Sequence, residues 1–105
     1  MVNVEQLAQQ MVAEGRSILG DAWVDARAYA EPELKKIALS VGEIELALQR
    51  KEISQEEASI MLDMQKNASR AVLMATKVIG ALLAERVVGA ALALAGGALD
   101  QALER

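Results

Sequence analysis

Apolar residues recur at helical spacing in three long stretches of this chain, and the intervals between them carry turn signals. In the first stretch Val4, Leu7, Ala8, Met11, Val12, Ile18 and Leu19 share one side, while Gln6, Gln9, Gln10, Glu14 and Arg16 fall mostly on the others. Asn3 stands at the N-cap position with Gln6 three residues on, Gly15 weakens the middle, and Gly20 suits a C-cap. The pattern predicts an amphipathic helix over about 4–19, about 24 Å long at 1.5 Å per residue, which needs a surface to lie on.

The second stretch begins after Asp21, a possible N-cap, and predicts a helix over about 21–50. Trp23, Ala30, Ile37 and Ile44 recur every seven residues, interleaved with Leu34, Val41 and Leu48. This heptad seam keeps one stripe facing a partner helix. Arg27 stands where the first interleaved apolar residue belongs. It either fixes register by pairing with an acid on another chain or turns its charge outward to water. Pro32 either kinks one helix or opens a second one, and the heptad phase unbroken from Trp23 to Leu48 favours the kink.

Residues 49–53 form the clearest turn. Ser54 and Glu57 make a capping box with Ile53 ahead of it, so a third helix starts at Gln55 and is expected to run to about 95. Met61, Ala68, Ala75 and Leu82 recur every seven residues with Val72 and Ile79 between them, and are expected to face the second helix. Glu56, Asp63, Arg70 and Lys77 repeat on the other side, into which Leu73 and Met74 intrude. Met61, Met64 and Met74 are expected to fill core, the other reading being an adaptable binding groove.

From Ala71 to Leu99 apolar residues go most of the way round, broken only by the charges of Lys77, Glu85 and Arg86. Such a helix has to be buried on all sides. Continued straight to Leu103 it would be about 73 Å long, far beyond the diameter of a compact chain of this size. Either it breaks near Gly80 or Gly89 and folds into a monomeric four-helix bundle, or a long hairpin assembles with other chains. One stripe on the first helix covers too little, so the expectation is an all-α protein: a long antiparallel hairpin with an amphipathic N-terminal helix, assembled as an oligomeric bundle. Val72, Ile79, Leu82, Leu83, Val87, Val88, Leu92 and Leu94 would form its interface, and Trp23, Leu34, Ile37, Val41, Ile44 and Leu48 the hairpin seam.

Composition narrows the chemistry. Hydrophobic residues make up 53% and aromatics 2%, with no alternating runs to support strands, so residues 1–105 read as one helical domain with a short polar C-terminal end. The net charge of -4 is scattered, with no basic stripe, which argues against nucleic acid. There is no Cys and no His, removing thiolates, the commonest general base and the commonest metal ligand. No basic-then-apolar leader opens the chain, so a cytoplasmic location is expected. Asp21/Asp25, Glu31/Glu33, Glu43/Glu45 and Glu56/Glu57 read as solvated helix surface rather than acid–base or cation sites. Gly96-Gly97 lacks the Lys or Ser/Thr of a phosphate cradle. No catalytic residue, cofactor or metal site is expected.

Small residues at Gly80, Ala84, Gly89, Ala93 and Gly97 permit close helix approach, in a soluble bundle or in lipid. The uncharged run from Val87 to Leu99 is too short to span a bilayer of about 30 Å, so lipid contact would be shallow insertion or a pore made by several chains. The expected function is non-enzymatic: a homo-oligomeric structural or adaptor protein acting through its C-terminal apolar helix. The alternatives are a small membrane-associated or membrane-active protein, and one half of an obligate complex with another helical protein.

Overall fold

The computed structural model describes residues 1–103, so the last two residues of the expected polar end lie outside the described residues. The fold is all-α. Helix α1 spans Val4–Leu19, a single 3-10 turn spans Gly20–Ala22, and α2 spans Trp23–Gln49. Helix α3 spans Gln55–Ala75 and α4 spans Ala81–Leu103. Successive helices run antiparallel. Helix α2 touches the other three, α1 packs on α2 and α4, and α3 packs on α2 and α4. The longest dimension, 41 Å, matches the length of the 27-residue α2 at about 1.5 Å per residue.

Each boundary has a local cause. Asn3 caps α1, its Oδ1 accepting the Gln6 amide at 3.0 Å, and Gly20 ends it with φ 55. Ser54 Oγ accepts the Glu57 amide at 3.0 Å, while Glu57 Oε1 accepts the Ser54 amide at 2.9 Å. The capping box therefore stands where the sequence places it. At the end of α2 the Glu52 amide donates to Ala47 O at 2.9 Å and the Lys51 amide to Leu48 O at 3.1 Å. That is a Schellman closure, and it puts Lys51 at φ 59, where glycine is usual. Pro32 lies inside α2, which continues through it undivided.

The long third helix is a correction. It stops at Ala75, and the chain turns over Thr76–Gly80 before α4, so the hairpin of helices 21–50 and 55–95 does not form. Thr76, Val78 and Ile79 are β-branched and precede Gly80, a run of poor helix formers. Thr76 closes α3 by donating its hydroxyl to Leu73 O at 2.8 Å. Ile79, 3% exposed, anchors the turn in the core. Of the two arrangements open to the sequence, the chain adopts the four-helix bundle.

The heptad seam of α2 lies in that core. Trp23, Leu34, Ile37, Val41 and Ile44 are buried and Leu48 is half-buried. They meet α1 and α4 as well as α3, because α2 is the central helix. Helix α3 sits in a different register from the one expected. Met61, Ala68, Ala75 and Val72 are exposed, and Ala58, Ser69 and Leu73 are buried instead. The core stripe of α3 is partly polar, which hides it from a hydrophobic count. Ser69 is fully buried and accepts Gln65 Nε2 at 2.9 Å, while Gln65 Oε1 lies 3.0 Å from Ser40 Oγ on α2.

Helix α1 approaches α2 closely at two glycines. A Cβ on Gly15 would lie 2.9 Å from Leu34 Cδ1, and one on Gly42 would lie 2.6 Å from Val4 Cγ2. Gly15→Ala is expected to lose about 1 kcal/mol net, overpacking against Leu34 outweighing the gain in helix propensity. Gly89→Ala, where a Cβ meets nothing within 4 Å, is expected to gain about 0.5–1 kcal/mol. Lys51→Gly should gain up to about 1 kcal/mol by relieving the left-handed backbone. Urea denaturation of the three variants measures all of these.

Candidate interaction surfaces

The expected interface residues do not share one surface. Ile79, Val87 and Val88 are in the chain's own core, Leu83, Leu92 and Leu94 are half-buried, and Val72 and Leu82 are exposed at 42% and 74%. Val87 and Val88 point inward with Ala84, Ala91, Ala95 and Leu99, so α4 covers its most apolar side against α1, α2 and α3. Its outer side is small: Gly89, Ala93 and Gly97 are exposed, between Arg86 and Asp100.

Large apolar side chains in water concentrate elsewhere. Of the twelve exposed large hydrophobics, seven lie between residues 60 and 82: Ile60, Met61, Met64, Val72, Met74, Val78 and Leu82. The methionines expected to fill core are therefore on the surface. Helix α3 buries only three residues, against ten in α2 and six in α4. It packs into the core through Ala58 and Leu73 and is joined to its neighbours by polar contacts as well. One is the Ser40–Gln65–Ser69 chain, and another is Arg70 Nη1 donating to Glu85 Oε2 at 3.0 Å. The residue-by-residue spacing of Ile60, Met64 and Met74 was visible in the sequence, but their outward direction depends on the polar core stripe opposite.

A second surface is a cleft of about 660 Å³ between α1 and α2. Val4, Ala8, Val12 and Leu39 supply its apolar lining, with Glu5, Arg16, Glu31 and Lys35 at the edge. Glu31 is occupied: its Oε2 accepts Arg27 Nε at 2.9 Å and its Oε1 lies 3.3 Å from Lys35 Nζ. Arg27 thus turns outward and pairs within its own helix rather than across the seam. The residues lining this cleft include no hydroxyl or thiol nucleophile.

The carboxylate pairs divide between surface and core. Glu33 and Glu45 are buried, contrary to a wholly solvated reading, each held by a local donor. Lys36 Nζ is 3.0 Å from Glu33 Oε2, and Glu45 accepts the Val2 amide at 2.7 Å and Gln49 Nε2 at 2.9 Å. Among the described residues no cluster of three or more His, Cys, Asp or Glu is placed to hold a metal ion. The chain matches no family model, no curated protein and no solved structure.

The hydrogen bond from Arg27, then that from Lys35, holds the Glu31 carboxyl below its ordinary pKa. A lowered folded-state pKa gives a contribution present above the unfolded value and lost as pH falls through the folded one. Carbon-detected NMR titration should place the Glu31 midpoint below 4.5, and Arg27→Ala should move it upward.

Proposed function

We propose that this chain is a non-enzymatic helical protein of the cytoplasm that self-associates and serves as a small structural or adaptor unit. The observation that carries this reading is the concentration of exposed large apolar side chains between residues 60 and 82. Scattered apolar residues on a surface are ordinary, whereas a contiguous apolar patch marks an interaction site. Covering one Ile, Leu, Val or Met side chain is worth about 1.5–3 kcal/mol. Several together offset the roughly 4–15 kcal/mol of lost freedom on association. The buried residues of α4 belong to the folding core in this reading, and the surface left for a partner centres on α3 and the turn after it.

A second reading rests on α4. Its 23 residues are long and apolar enough to cross a membrane, and one third of its most apolar window is buried in the fold. A core helix passes the same test, so this reading requires α4 to leave α1 and α2 and exchange those contacts for lipid. Light scattering coupled to gel filtration in detergent-free buffer separates the two. Self-association predicts a discrete multiple of 11.2 kDa at micromolar concentration, and a clean monomer overturns it. Vesicle flotation tests the second: lipid association predicts that the chain floats with phosphatidylcholine vesicles, and its remaining wholly in the dense fraction overturns that reading.

A further inference from the structure

The solvent face of α3 carries an apolar row that the bundle leaves unused. Ile60, Met64, Asn67, Ala71 and Met74 follow one another at intervals of four, three, four and three residues, and all five are exposed. Ile60 is 58% exposed, Met64 66% and Met74 46%. This interval is the repeat that keeps one stripe of a helix against a partner helix. The row lies opposite Ala58, Ser69 and Leu73, which face the core. Helix α3 is therefore two-sided, with one side already satisfied.

Charges beside the row identify the occupant. Glu56, Asp63 and Arg70 recur every seven residues along one edge of α3, two acids followed by a base, and Lys77 lies in the turn after the helix. The other edge is Met61, Ala68 and Ala75, without charge. In a parallel pair, unlike edges meet and the charges face uncharged residues. In an antiparallel pair, like edges meet, and Asp63 of each copy comes beside Arg70 of the other. At these two positions the helix is complementary to its own reverse.

We propose that two copies of the chain dock α3 against α3, antiparallel, about a two-fold axis passing between Gln65 and Lys66. Asp63 then faces Arg70 of the second copy, and by symmetry Arg70 faces its Asp63. Within the seam Ile60 packs on Ala71 and Met64 beside Asn67, while Met61 meets Ala68 on the uncharged edge. Every large side chain is set against a small or polar one, which suits close packing of two identical helices. Arg70 keeps its bond to Glu85, since a guanidinium has five donors. The polar Asn67 near the centre fixes the register. This pairing rests on the self-association reading and specifies its face and direction.

The chain has no cysteine, so introduced ones report without competition. A disulfide needs Cα atoms within about 7 Å. Antiparallel pairing sets the two copies of residue 60 about 17 Å apart along the helix and brings residue 60 beside residue 71. Under mild oxidation Ile60→Cys alone should stay uncross-linked, and Ile60→Cys mixed with Ala71→Cys should give a covalent dimer. Asp63→Arg, at an exposed position, should leave the circular dichroism unchanged and weaken dimerisation about tenfold by turning two attractive pairs repulsive. Light scattering of the unmodified chain should give twice 11.2 kDa. A monomer there overturns both this pairing and self-association itself. A dimer in which Ile60→Cys cross-links to itself, in which the mixed pair does not cross-link, or which Asp63→Arg leaves undisturbed overturns the α3 pairing and leaves self-association standing.

Discussion

Five residues, Thr76 to Gly80, decide whether the apolar side of α4 meets α1 and α2 or runs on into water. As a continuation of α3, α4 would place Val87, Val88 and Leu99 tens of ångströms from the first two helices. The turn reverses the chain, and Ile79 fixes it by entering the core at 3% exposure. Everything that follows depends on that reversal. Helix α1 has a single apolar stripe, with Leu7, Met11, Gly15 and Leu19 buried, and finds its groove only because α4 returns beside α2. A Cβ at Gly15 would meet both Leu34 of α2 and Val87 of α4, so three helices converge closely at this glycine.

The reversal also redistributes burial. Helix α4 carries Ala84, Ala91 and Ala95 inward alongside Val87, Val88 and Leu99, and the small side chains let the α1, α2 and α4 axes lie close together. The radius of gyration, 13.6 Å, is near the value of about 13 Å for a compact chain of 100 residues. Three helices thus supply most of the packing. Helix α3 completes the bundle through Leu73, Ala58 and a hydrogen-bonded polar strip, and gains less from burial than the other long helices.

Much of this was legible in the residues themselves. The α2 seam from Trp23 to Ile44, the continuity of α2 through Pro32, and the Ser54–Glu57 box follow from strong local signals, and all are present. The break is harder to place, because Gly80 and Gly89 offer similar punctuation and only the β-branched Thr76, Val78 and Ile79 ahead of Gly80 separate them. The α3 register was missed for a different reason. Ser69 and Gln65 satisfy each other inside the fold, so the buried side of α3 is partly polar while Ile60, Met64 and Met74 lie on its outer side. Apolar residues from Ala71 onward suggest a helix without a surface, but the bundle covers the side of Ala84, Val87, Val88, Ala91, Ala95 and Leu99, and small Gly89, Ala93 and Gly97 lie outward. The candidate surface was legible only as parts, since heptad spacing does not say which of two stripes faces water.

A helix that buries a Ser–Gln contact toward its core and leaves Ile60, Met64 and Met74 in solvent departs from the usual arrangement. The Ser40–Gln65–Ser69 contacts are directional, and each adds only a modest net stabilisation, about 1 kcal/mol, because water competes for the same groups when the chain unfolds. Their value lies in orientation: Gln65 reaches from α3 to Ser40 of α2, so rotating α3 about its axis would break that contact, while the Gln65–Ser69 bond stays within α3. Leucine at the same positions would hold α3 as firmly but would tolerate such a rotation, since apolar contact is non-directional. The Gln65–Ser40 contact, together with buried Ala58 and Leu73, holds the rotation of α3 in which Ile60, Met64 and Met74 face outward. An outward row held in this way costs stability in the isolated chain, and that cost is recovered wherever another helix covers it.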